Sequence, residues 1–324
     1  MTFDGLSWYR LKRPVSEQER AGRLQTAQQC AEIAKDGNTV FSMNDTCLEV
    51  SDGSYWDKGR GLLAFLLPGT ASFVFSVGLV WMMTHLPPIY EQRGEVGLMD
   101  GVLGFFLVLM LGLFGMGVWA LTRECFGYTR RPIRFNRINR TMYVFRSNAP
   151  GGILSVPWDK AFFYIERKPR TGIPRTARRL IRCLVLDDDG QVFDTFSVGK
   201  HLVLAFDEDS APGRLLMDEL RQYFEFYRRF MEEGPSSVPP VTVFLSPDVS
   251  FRNTLKMYFG GTSDDIRSGN PLFWLLVAIM ALPTFLQATL HYLTQLTCRE
   301  PVWPEEVERA CTPRPRQTEG LPVS

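Results

Sequence analysis

The chain has 324 residues, with 36 Lys and Arg against 35 Asp and Glu, and a net charge of +1. Domains devoted to binding nucleic acid are usually strongly basic, so this near-neutral balance argues against that class. Mean hydropathy is near zero, yet the apolar residues are gathered into three long uncharged blocks, which ordinary soluble domains lack.

Residues 1–60 read as a polar, cytoplasmic N-terminal segment. Ser16 to Lys35 is expected to be a helix opened by a capping box, Ser16 with Glu19. TCLEVSDGSYW, from Thr46, reads as a short strand and turn. No secretory signal is visible, because the first apolar block starts at residue 61.

Residues 61–121 read as a two-span transmembrane hairpin. Gly61 to Thr84 and Gly101 to Leu121 carry no charge, and each reaches the roughly 20 residues needed to cross the hydrocarbon core. Trp81, Trp119, Trp274 and Tyr292 lie near block ends, where aromatic belts form. The loop between the first two blocks has one basic residue, Arg93, whereas Arg123, Arg130, Arg131, Arg134 and Arg137 follow the second. The side rich in Lys and Arg stays in the cytoplasm, so Arg123, Arg130 and Arg131 are expected topology anchors.

Residues 127–234 carry a β pattern. RRPIRFNRINRTMYVFR, Arg130 to Arg146, alternates apolar and basic residues around a polar tip and reads as a hairpin. ILSVPWDKAFFYIERK adds strand material, and a second hairpin is expected to turn at Asp189-Gly190. Leu216, Leu220, Tyr223, Tyr227 and Phe230 then recur at helical spacing, which predicts an amphipathic closing helix. Antiparallel strands closed by one C-terminal helix is the order of a PH-like barrel.

Residues 235–270 read as a linker with a short strand and helix. Residues 271–292 read as a third span, which would leave residues 293–324 as a periplasmic tail. Cys298 and Cys311 both fall in that tail. A disulfide between them would suit an oxidising compartment, and two unpaired thiols are the alternative. The expected fold class is therefore an α+β membrane protein: a transmembrane hairpin, a third transmembrane helix and a cytoplasmic antiparallel β domain.

The chemistry-bearing groups are few. Arg167, Lys168, Arg170, Arg175, Arg178, Arg179 and Arg182 read as a basic loop. Such a loop can attract anionic lipid at about 1 kcal/mol per cation, or dock an acidic partner; its bland reading is a solvated loop that enforces topology. Nucleic acid is not expected as a partner, since aromatics are not interleaved there. The acidic run Asp187 to Asp189 reads as turn chemistry rather than a cation site. His85, His201 and His291 lie far apart in sequence, and no GxSxG, Walker loop or HExxH occurs. The expectation is a non-enzyme with no catalytic residue, no metal and no cofactor. Gly112, Gly115 and Gly117 allow close helix packing, either within the chain or between copies.

Taken together, the two-span hairpin, IRFNRINRTMYVFR, WDKAFFYI and the third span followed by WPEEVERAC resemble domain-of-unknown-function family 6708, a family of bacterial membrane proteins. Members are associated with type VI secretion effector and immunity loci. The resemblance implies an inner-membrane binding protein that acts by stoichiometric contact with a secreted effector or secretion component. It implies an accessory, adaptor or immunity role and brings no catalytic residues. The alternatives are a lipid-responsive scaffold that uses the basic loop, and a membrane enzyme whose site the motifs do not reveal.

Overall fold

A computed structural model describes residues 2–3, 8–167, 176–260 and 271–313. The chain divides into two compact units. One holds residues 1–57, 130–247 and 301–324; the other holds residues 58–129 and 248–300.

The first unit opens with a small pairing of β1 (Thr2–Phe3) and β2 (Trp8–Tyr9), then α1 (Glu17–Ala21) and β3 (Arg23–Leu24). The capping box is present: Ser16 Oγ accepts from Glu19 N–H, and the Glu19 carboxylate accepts from Ser16 N–H at 2.8 Å. The helix nevertheless stops at Ala21, not Lys35. Leu24 is buried in the core and pairs with a strand, so tertiary packing overrides the polar helical pattern.

Two antiparallel sheets follow. β4 (Val40–Met43), β5 (Cys47–Val50), β6 (Ile133–Asn136), β7 (Thr141–Phe145) and β8 (Ile153–Pro157) form one, in that order. β9 (Phe162–Arg167), β10 (Ala177–Leu186) and β11 (Val192–Leu204) form the other, with β3 at the edge beside β9. The β6–β7 hairpin occurs where alternation predicts it, with Ile133, Phe135, Met142 and Val144 turned into the core. The β10–β11 turn is wider than a two-residue turn. Its strands end at Leu186 and resume at Val192, Gly190 takes φ +71°, and Asp187 Oδ1 accepts from the N–H groups of Asp189 and Gln191. The acidic run is therefore built around a local Asx-type turn.

Helix α6 (Ala211–Glu232) closes the unit. Leu220, Tyr223, Phe224, Tyr227 and Phe230 join Ile181 and Val198 of one sheet and Phe135 of the other in a single core. Trp158 is fully buried there, and its indole N–H donates to Glu232 at 2.7 Å. This domain is larger than the expected 127–234. The N-terminal segment supplies β3, β4 and β5, and the alternation of RRPIRFNRINRTMYVFR could not reveal those partners.

The second unit holds α2 (Arg60–Ala64), a π-helical turn at Phe65–Gly69, α3 (Thr70–Thr84), α4 (Pro88–Arg93), α5 (Val96–Cys125), α7 (Phe251–Phe259) and α8 (Pro271–Leu296). The π turn contains Pro68, which lacks an N–H to donate to the preceding turn. Three helices are long and apolar enough to cross a membrane: Tyr55–Thr84, Val96–Cys125 and Val277–Leu296. Gly117 lies against Gly69, so close that a Cβ on Gly117 would stand 3.2 Å from the Gly69 Cα, whereas Gly112 and Gly115 face open space.

Residues 301–313 do not stand apart as a separate tail. Helix α9 (Glu305–Cys311) belongs to the unit that contains both sheets, and Cys311 is disulfide-bonded to Cys47 of β5. Cys298 is free, so the expected Cys298–Cys311 bridge is also corrected.

Candidate functional site

Among the described residues, each cation of the basic run is paired with a carboxylate. Arg182 lies in the middle of β10, with none of its side chain exposed; it donates to Glu166 at 3.0 Å and stacks over Tyr9 at 3.8 Å. Arg179 pairs with Glu208 at 2.6 Å and Arg167 with the same carboxylate at 3.3 Å. Arg178 pairs with Asp57 at 2.7 Å, and His201 Nε2 lies 3.7 Å from Asp57 Oδ1. These four cations are met by carboxylates on strands and flanking segments. Lys168, Arg170 and Arg175 lie outside the described residues. Alternation places Arg182 inside a strand, but nothing in the sequence names Glu166 as its partner.

Two expected anchors have local contacts. Arg123 stacks over Trp119 at 5.0 Å. Arg130 donates to the Pro247 carbonyl at 3.1 Å and lies 5.5 Å over Phe41. Arg131 is half-buried before β6.

The outer face of the five-stranded sheet is where the tail docks. Cross-strand register lines up Cys47 with Asn136, and Glu49 with Arg134. Arg134 donates to Glu49 at 2.6 Å, reaches Glu308 at 3.1 Å and stacks over Trp303 at 4.6 Å. Asn136 donates to the Ala310 carbonyl at 2.7 Å, and Trp303 packs edge-on against Phe145 at 5.8 Å. Trp303, Val307 and Cys311 are buried and recur every four residues, so one face of the tail meets the sheet. WPEEVERAC already contains that spacing; its docking site could not be read from it.

The second unit contains a polar cluster within its helices. Glu124 accepts from Gly59 N–H at 2.7 Å and from Gly61 N–H. His291 is fully buried, with Nδ1 3.1 Å from the Tyr258 hydroxyl, and Gln287 donates to the Lys58 carbonyl at 2.8 Å. The hydrophobic blocks hid this cluster because its members lie at their ends, in four separate segments. Among the described residues, no group of three His, Cys, Asp or Glu is placed to hold a metal ion.

Two antiparallel sheets closed by a helix, with three helices long and apolar enough to span a bilayer, define a mixed α+β protein. The model of the family of unknown function DUF6708 matches residues 109–315, well over half of the chain. The chain belongs to that family. The match runs from within α5 through both β hairpins, α8 and the docked tail. Neither a search of curated proteins nor a search of solved structures returned a match.

Proposed function

We propose that this chain is a membrane-anchored binding protein of the bacterial inner membrane. It acts by stoichiometric contact with a secreted effector or secretion component, as an accessory, adaptor or immunity protein. One observation carries the reading. Strands β5 and β6 are hydrogen-bonded neighbours, and the whole transmembrane hairpin is inserted between them. Adjacent strands lie about 5 Å apart, so both limbs of the hairpin are tied to one rigid sheet. Such a domain cannot leave the membrane without unfolding, which suits a fixed docking platform.

The meander β5–β8, the meander β9–β11 and the closing helix α6 support a PH-like description of the platform. The arginine bias after α5 supports a cytoplasmic domain, and the tail then shares that side. The partner class rests on the association of the family with type VI secretion loci.

The test is a challenge assay. Deleting the gene should sensitise cells to the toxin encoded beside it, and restoring the chain should rescue them. The same toxin should co-purify with the detergent-solubilised chain in fixed ratio. Unchanged survival together with no complex would refute the proposal.

A further inference from the structure

Helix α7 belongs to the helical unit and has nine residues, FRNTLKMYF, with two cations and no carboxylate. Phe251, Thr254, Leu255 and Tyr258 recur at three- and four-residue spacing and form one face. Phe251 packs against Phe285 and Tyr292 of α8, with ring centroids 5.9 and 5.5 Å away. Tyr258, near the other end of α7, has its hydroxyl 3.1 Å from His291 Nδ1 and 3.5 Å from Gln287 Nε2. Those two ends of α7 are about 10 Å apart, yet both touch the same two turns of α8. The short helix therefore crosses α8 rather than running along it.

A third segment fixes the level of that crossing. Gly59 takes φ +98°, and a Cβ there would stand 2.8 Å from the His291 backbone nitrogen. Gln287 donates to the Lys58 carbonyl at 2.8 Å. Lys58 and Gly59 thus meet α8 on the two turns that α7 crosses, and they stand just before the uncharged block Gly61 to Thr84. On the membrane anchorage proposed above, that block begins at the edge of the hydrocarbon, so α7 lies across this edge. Tyr258 and Tyr292 suit the same level, where aromatic belts form. Arg252 and Lys256 are one turn apart, lie off the face that meets α8, and are both exposed. Among the described residues, neither has a carboxylate within ion-pair distance, unlike the arginines of the basic run. A cation at the hydrocarbon edge reaches toward the headgroups for its solvation.

We infer that α7 is an interfacial helix on which Arg252 and Lys256 bind the phosphate of an anionic phospholipid. The inference rests on the membrane anchorage proposed above and not on the effector. Two cations facing one phosphodiester favour a lipid with net negative charge, because a zwitterionic headgroup brings an ammonium of its own. Phe259, one turn beyond Lys256 on the same side, is half-buried and offers the acyl chains an apolar neighbour. The arrangement serves as a lipid clasp beside α8, separate from the basic run of the two-sheet unit.

The full chain in dodecyl maltoside can be titrated with palmitoyl-oleoyl phosphatidylglycerol or the matching phosphatidylcholine, and the bound lipid counted by native mass spectrometry. Phosphatidylglycerol should be retained about tenfold more tightly. Arg252→Gln combined with Lys256→Gln should bring it down to the phosphatidylcholine level without lowering the melting temperature, because both positions are exposed and glutamine suits a helix. Arg252→Lys combined with Lys256→Arg should keep the preference. Arg93→Gln, in the loop between the first two apolar blocks, should leave it unchanged. Glycerophosphoglycerol, the same headgroup without chains, should not displace the lipid. Equal retention of the two lipids, a preference that survives the double glutamine variant, an equal loss in Arg93→Gln, or displacement by the chainless headgroup would overturn the inference. Retention of neither lipid would overturn it together with the membrane anchorage, whereas failure of the toxin challenge alone would leave it standing.

Discussion

The charged residues of this protein act mostly as fasteners. Glu225 is fully buried on α6 and accepts from Arg228 at 2.8 Å, from Arg229 at 2.8 Å and from Cys30 N–H at 3.0 Å. Arg229 goes on to donate to the Glu32 carbonyl at 2.7 Å, which stitches the N-terminal segment to the helix. Burial alone would raise the Glu225 pKa, but these donors outweigh it and hold the carboxyl at about 2, against an ordinary 4.5. A depressed folded-state pKa contributes stability above the unfolded value, and that stability is lost as pH falls through the folded one. The contribution should fade between about pH 4.5 and 2. Glu225→Gln should cost about 1–3 kcal/mol at neutral pH, because it removes the charge that Arg228 and Arg229 share, while Arg228 keeps Glu233 and Arg229 keeps the Glu32 carbonyl. It should also flatten the acid limb of a melting-temperature series in detergent. Parallel acid limbs for variant and parent would contradict this account. The periodicity of α6 showed which residues face the core, but not that Glu225 would be among the buried ones. An i, i+3 and i, i+4 arginine pair usually marks a solvated face.

Among the elements, local pattern and long-range partnership differ in what the sequence reveals. The β6–β7 hairpin, α6 and the helical spans were legible because each declares itself by periodicity or length within one short window. The partners of β5 were not, because they arrive after the whole hairpin. The same holds for Cys311, whose bond to Cys47 spans 264 residues. Spacing within the tail pointed to Cys298, the nearer thiol. Thiol labelling after denaturation in air should therefore count four groups, Cys30, Cys125, Cys183 and Cys298, and six after reduction. Six before reduction would remove the bridge. Breaking it should cost about 2–4 kcal/mol. Arg134, Asn136 and Phe145 would still hold Trp303 and α9 in place.

For the whole molecule, the docked tail constrains topology more firmly than hydropathy does. Reporters placed in the exposed Asp188–Asp189 turn and after Ser324 should report the same side of the membrane. Opposite sides would contradict the docked tail. Which side that is can be read from Cys47 and Cys311 in living cells. On the proposed cytoplasmic orientation they would face a reducing compartment, where disulfides rarely persist. Cells quenched in acid and labelled should then show six thiols; four would move the domain to an oxidising compartment. Lys200 and Trp56 lie far apart in the chain, and their stacking is a product of folding alone.

The insertion of the hairpin between β5 and β6 also sets an order of events during synthesis. When β5 leaves the ribosome, the strand beside which it belongs has not been made. Its polar edge and the apolar face of Leu48 and Val50 stay uncovered until both spans are threaded into the bilayer and β6 emerges. An unpaired strand with an apolar face is a template for mispairing. If the hairpin spans a bilayer as proposed, its insertion becomes a checkpoint for maturation of the sheet: a chain that stalls before β6 emerges keeps an open edge, which quality-control proteases can recognise.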